Sequence, residues 1–157
     1  MDPDEKADHP GVIAFPPLIF VACVVAGGLV QLMFPLRIMN ASVARALGIV
    51  LASIAGCLSI WAFRVMKANG TNVRPDQPAT TIVRDGPFRF TRNPMYLSLC
   101  LLQLAVGFSL DAWFVLLFLI PLALILHFGV ILREESYLEA KFGEPYLALK
   151  RAVRRWL

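Results

Sequence analysis

The chain has too few cysteines, and in the wrong places, for a disulfide framework. Cys23, Cys57 and Cys100 are odd in number, and each lies inside an apolar run. They read as small buried hydrophobes and not as a zinc site. No CxxC or HExxH pattern occurs, and the ten glycines never form GxG. The soluble dinucleotide-binding fingerprint is therefore absent. Charge is scarce as well: 17% of the 157 residues are charged and 58% are hydrophobic, with a mean hydropathy of +0.67. That is well above the apolar share of a soluble domain. Residues 1–157 read as a single membrane domain, with the lipid bilayer as a partner and no role for nucleic acid.

What is present divides along the chain. Residues 1–11 carry Asp2, Asp4, Glu5, Asp8 and His9. They lack the basic start of a cleavable signal, and a frayed polar tail is expected. The first two spans are expected within residues 12–66. Pro16-Pro17 should start a helix that runs to Phe34, rising about 27 Å, enough to cross a bilayer. Gly27-Gly28 allows a neighbour to approach it closely. Ala44 to Val65 is the second span, and Gly48, Ala52 and Gly56 form one small-residue stripe along it. The stripe serves packing within the chain or a homo-oligomer, and the pattern leaves both open.

Residues 67–94 form the longest polar stretch, rich in turn residues. A loop of this length in so small a chain is expected to be functional. Residues 95–132 then make a tight helical hairpin. Its helices run from Met95 to Leu110 and from Trp113 to Leu132, with only Asp111-Ala112 between them and Pro121 as a kink point. Residues 133–157 give a cytosolic amphipathic tail broken at Gly143–Pro145. The fold class expected is thus all-α, a multi-pass helical bundle of about four transmembrane helices.

Basic residues concentrate on the side that holds the termini and the 67–94 loop, while Arg37 and Arg45 mark the other. Both termini are therefore expected in the cytosol. This arrangement carries the two densest polar clusters, 85–96 and 133–146, to the same end of the hairpin. In the first, Pro87 and Pro94 stiffen the backbone, and Asn93 is placed to cap the helix that begins at Pro94.

The joined cluster has a definite chemistry. Arg89 and Arg92 can grip a carboxylate or phosphate. Glu134 and Glu135 accept from an ammonium or a ribose diol, and Phe88, Tyr96 and Tyr146 offer rings to a base or a cation. Adjacent residues on a helix point about 100° apart, so one carboxylate should face a ligand while the other pairs with an arginine. Glu135 is assigned to the ligand. A plainer alternative is that Arg92 only pairs with Glu134 or Glu135 to close the hairpin mouth. His127 lies within the last span, where an ionisable residue is a candidate for function. A buried imidazole bonded to a neighbouring carbonyl is the alternative.

Gly86-Pro87-Phe88-Arg89-x-x-Arg92-Asn93-Pro94-x-Tyr96 precedes Glu134-Glu135-x-x-Leu138-x-x-x-Phe142-Gly143-x-x-Tyr146 by about forty residues. The pair resembles the isoprenylcysteine carboxyl methyltransferases, which are related to the phospholipid N-methyltransferases. The resemblance covers about residues 70–155. It implies a membrane enzyme that binds S-adenosylmethionine at the cytosolic end of the hairpin and takes a lipophilic or lipid-modified acceptor from the bilayer. It also implies cofactor contacts from Gly86, Phe88, Arg89, Arg92, Asn93, Tyr96, Glu134, Glu135 and Tyr146, and catalytic roles for Arg92, Glu135 and His127. Eukaryotic members usually carry His at the position of Asn93, which cannot act as a base. The compact form is more similar to the bacterial branch, which implies a bacterial inner membrane. Two other readings remain: an NADPH-dependent sterol-reductase-like oxidoreductase, and a non-catalytic membrane scaffold.

Overall fold

Prolines set three of the helix starts. The computed structural model describes residues 9–157, and the first eight positions of the expected polar tail lie outside the described residues. Pro16 opens α1 (Pro16–Met33) after an extended Phe15, and Pro94 opens α3 (Pro94–Ser109). A missing N–H costs nothing in a first turn. Between them lies α2 (Ala41–Ala68), which is longer at both ends than the apolar run alone predicts. Its start is set by Asn40, whose side chain accepts from Ser42 N at 3.0 Å. After α3 come α4 (Trp113–Leu117), α5 (Leu119–Ile125), a π-helical turn (Leu126–Ile131), α6 (Leu132–Phe142) and α7 (Glu144–Ala152).

The elements α4 to α6 succeed one another along one rod, Trp113–Phe142. The α-helix is interrupted at Phe118, three residues before the expected kink point Pro121, which has no N–H to offer the Leu117 carbonyl. Every regular element among the described residues is helical. The helix α1, the helix α2 and the rod are each long and apolar enough to cross a membrane, whereas α3 is apolar but has 16 residues. At 1.5 Å per residue α3 rises about 24 Å.

The outward faces of these helices are greasy. Leu18 is 63% exposed, Leu32 81% and Phe128 61%. Apolar surface on this scale calls for lipid around it. Inside, Ile19 and Cys23 of α1 meet Leu122, Leu126 and Val130 of the rod. Helix α3 is central: α2 packs along it, while α1 packs on α3, α4 and α5.

Close helix approach explains part of the small-residue pattern. A Cβ on Gly48 would lie 2.1 Å from Ser109 Oγ and 2.8 Å from the Ala105 carbonyl. Gly48 is therefore used inside the chain, against α3. Gly56 and Gly28 face open space, whereas Gly27 lies against the Val115 backbone.

The two ends of the bundle differ in kind. At one end the α1–α2 connection is tied to the α3–α4 turn: Ile38 N and Met39 N donate to Asp111 Oδ1 at 2.9 and 3.3 Å. The other end gathers residues 9–15, the loop after α2, the start of α3 and everything after the π turn. In that turn Ile13 N donates to the Gly129 carbonyl at 3.2 Å, and a Cβ on Gly129 would strike the Ile13 side chain. Arg133 holds the Gly11 carbonyl at 2.9 Å, so the segment before α1 is laid across the rod.

Gly48→Leu should cost about 1–3 kcal/mol by forcing α2 off α3, and Gly56→Leu should cost much less. Melting temperatures of the two variants in detergent check this; equal loss would mean that the α2–α3 seam is not formed by Gly48.

Candidate functional site

The site starts from the turn before α3. Gly86 has φ +57° and opens the 3-10 turn Gly86–Arg89. A side chain there would need a left-handed backbone and would also collide with Trp61 and Val65 of α2. Gly86 therefore seats the turn against α2, which lets the chain run on through Phe90 to the start of α3. The stretch 91–93 then receives the C-terminal segment alongside it. Arg92 N donates to the Arg154 carbonyl at 3.0 Å, and Thr91 Oγ1 and Asn93 Nδ2 donate to the Arg155 carbonyl at 3.2 and 3.0 Å.

Asn93 occupies the N-cap position of α3, but its side chain makes no capping bond. The expectation of a side-chain cap is corrected here. The Arg155 carbonyl lies within reach of the amide and takes its donor, while the Asn93 N–H is satisfied by Thr91 Oγ1 at 3.2 Å.

The centre of the cluster is Glu135, only 4% exposed. Arg155 grips it with two parallel bonds, Nε to Oε1 at 2.8 Å and Nη2 to Oε2 at 2.9 Å. Arg92 Nη2 lies 3.1 Å from Oε1, and Lys150 Nζ lies 3.9 Å from Oε2. The hydrogen bond from Arg155 to Glu135 also raises the pKa of its guanidinium. Lys150 pairs in addition with Glu139. The arginine-paired carboxylate is thus Glu135, the residue assigned to the ligand from helix phase alone. Its neighbour Glu134 accepts instead from Tyr96 Oη at 2.6 Å.

Arg92 is left incomplete. Its side chain is 7% exposed, yet Nε and Nη1 are buried with no hydrogen-bond partner among the described residues. Unpaired buried donors of a charged group are costly and call for an acceptor. Both belong to a residue that lines a cavity of about 320 Å³. The cavity is also lined by Phe88, Asn93, Tyr96, Glu134, Glu135 and Tyr146 at its polar end, and by Phe15, Pro16, Pro17, Ser59, Met66 and Leu99 toward the lipid. Burial and the neighbouring Glu135 push the Tyr146 phenol up to about 12, so it stays protonated at neutral pH.

The loop after α2 covers this space. Thr71 is buried and accepts from Thr80 N at 3.2 Å, Asn72 Nδ2 donates to the Pro78 carbonyl at 2.8 Å, and Ala79 N donates to Tyr137 Oη at 3.2 Å. Arg74 pairs with Asp76 and lies 5.9 Å from the Phe15 ring centre. Arg84 donates to the Pro145 carbonyl.

Seven of the residues expected at the site thus come together around one cavity: Phe88, Arg92, Asn93, Tyr96, Glu134, Glu135 and Tyr146. Three do not line it. Gly86 is spent on the turn, Arg89 is exposed, and His127 meets the C-terminal segment instead. His127 Nδ1 is 3.4 Å from Trp156 Nε1, and Nε2 is 3.4 Å from Arg155 Nη1. Both partners are donors, so a neutral ring can accept from only one of them. Reading the sequence missed Arg155 and Trp156. Their only signal was a basic pair followed by tryptophan in a tail otherwise typical of solvated charge.

The sequence profile of the family described as "Phospholipid methyltransferase" matches residues 43–145. A protein of Haemophilus influenzae, named only as uncharacterized, is 49% identical over 67 residues, which is 40% of this chain and all of that protein. No solved structure matches the chain.

Glu135→Gln would strand Arg92 and Arg155 and should destabilise the protein by about 3–5 kcal/mol. Glu134→Gln keeps an acceptor for Tyr96 and should melt close to wild type. Thermal unfolding in detergent separates the two, and the reverse ranking would contradict this assignment of partners.

Proposed function

The chain belongs to the phospholipid methyltransferase family, and from that premise we propose that it transfers a methyl group from S-adenosylmethionine to a lipophilic acceptor at the membrane–water boundary. The observation that carries this reading is Arg92, with Nε and Nη1 buried and unpaired, in the lining of a cavity that also offers a carboxylate, a phenol and aromatic rings. These are the complements of a zwitterionic nucleoside. The free edge of Arg92 suits the ligand's carboxylate, which charge-assisted paired bonds favour. Glu134, backed by Tyr96, suits its ammonium or ribose hydroxyls. Phe88, Tyr96 and Tyr146 suit the adenine and the sulfonium.

When bound, the cofactor supplies a methyl group already activated by the sulfonium charge. The chain's work is then to align, to hold the polar ligand and to exclude water. Residues of the 71–83 loop, with Pro10 and Phe15 to Pro17, wall the cavity, and Tyr146 and Leu149 of α7 line it as well. Helices α1 and α2 both border the cavity but pack on α3 and not closely on each other. An apolar tail can lie between them. A carboxylate acceptor needs no base. An amine acceptor must lose a proton, and of the carboxylates on the cavity Glu134 is the one without an arginine partner. Glu135 is held by two arginines, and His127 lies off the lining, so neither fits that task as well.

The family and the apolar helices place the protein in a membrane. The polar end carries most of the basic residues and faces the cytosol in this reading, which for a bacterial chain means the inner membrane. NADPH suits the cavity less. It needs basic groups for its phosphates, and Arg74 and Arg84 in the covering loop are already engaged.

Calorimetric titration of the detergent-solubilised chain should show binding of S-adenosylhomocysteine and none of NADPH. Arg92→Leu should weaken S-adenosylhomocysteine by about 1–3 kcal/mol, the cost of a charged hydrogen bond. Binding of NADPH alone would replace the methyltransferase reading with a reductase. For the orientation, single cysteines placed at Gln77 and Arg37 should be labelled by an impermeant reagent from opposite sides of the membrane. Labelling of both from one side would remove the assembled cavity from the membrane boundary.

A further inference from the structure

The C-terminal segment enters the cluster with more contacts than an anchor needs. The peptide at residues 154–155 is already held by Thr91, Arg92 and Asn93, and the Trp156 ring lies against His127. Those contacts dock the tail without the Arg155 side chain. The guanidinium nevertheless reaches Glu135 and occupies one position on each carboxylate oxygen. A carboxylate has about four acceptor positions. With Arg155 on both oxygens and Lys150 beside Oε2, Arg92 reaches only Oε1, and only through Nη2. If Arg155 were absent, Glu135 could turn its vacated edge toward Arg92 and take two of its N–H groups in the fork geometry that arginine and carboxylate prefer. The free edge of Arg92 would then be lost to the protein itself.

We propose that Arg155 is a positioning residue for ligand binding: by holding both oxygens of Glu135, it limits Arg92 to one contact and keeps Nε and Nη1 available to the carboxylate of the bound cofactor. This rests on the methyltransferase reading above and adds a residue that touches neither cofactor nor acceptor. It also explains why a single buried carboxylate is shared by two arginines. One of them neutralises Glu135 so that the other can serve a ligand. Lysine could not replace Arg155 fully, because an ammonium is a point charge and does not bridge two oxygens in one plane.

The test compares two ligands on the full chain in detergent by calorimetry: S-adenosylhomocysteine and its decarboxylated analogue, which keeps the ammonium and lacks the carboxylate. In Arg155→Gln, affinity for S-adenosylhomocysteine should fall about tenfold or more, as loss of a charged hydrogen bond does, while affinity for the analogue changes by less than about twofold. Arg155→Lys should fall between, and it keeps a cation beside Glu135 should the Gln variant not fold. In an Arg92→Lys background, Arg155→Gln should have no further effect on S-adenosylhomocysteine, since the two positions act through one contact. Equal weakening of both ligands would make Arg155 a structural staple and overturn the proposal. So would additive losses in the double variant, or an unchanged affinity in Arg155→Gln. A wild-type chain that binds neither ligand removes the methyltransferase reading and this proposal with it.

Discussion

A carboxylate buried to 4% exposure has to be paired, and the pairing of Glu135 organises the polar end of this protein. Arg92 comes from the start of α3, Glu135 from α6, Lys150 from α7 and Arg155 from the C-terminal segment. One charge therefore ties four pieces of chain together, and each enters at the same end of the bundle. Taking such a group out of water is expensive, and losing the carboxylate would strand two arginines. The segments cannot drift apart without that cost. The cavity keeps its shape for this reason, although much of its wall is loop.

The fold was legible wherever chemistry punctuates the chain. Pro16, Pro94 and Pro145 stand in the first turns of their helices, and the three-residue separation of α3 from α4 requires a hairpin. From that hairpin and the distribution of basic residues, the convergence of residues 85–96 with 133–146 followed by geometry. Less visible were features set by tertiary contact. The π turn at 126–131 leaves no mark on hydrophobic periodicity, since all of its residues but His127 are apolar. Asn40 as a cap was hidden among other polar residues of a connecting loop. The amide of Asn93 was expected to serve its own helix and serves the tail instead, which only the path of residues 153–156 reveals.

The division between Glu134 and Glu135 shows where helix phase runs out. It separates two adjacent carboxylates by direction without saying which direction holds the arginines, because that depends on where the far end of the chain returns. The polar end also solves a problem of solvent. A zwitterionic ligand and an apolar acceptor have no common medium except the bilayer boundary. The cavity runs from Arg92 and Glu134 to Pro16, Ser59 and Leu99, so its wall changes from charged to greasy along its length. The chemistry proposed here needs little more than that gradient, an aligned sulfonium and a dry wall.

A crystal or cryo-electron-microscopy structure with S-adenosylhomocysteine bound would test the central claim most directly. The ligand's carboxylate should lie about 2.7–2.9 Å from Nε and Nη1 of Arg92, the spacing of charge-assisted bonds, with Glu135 still gripped by Arg155. A ligand bound outside this cavity, or one bound inside it with both N–H groups of Arg92 turned onto Glu135, would contradict the account.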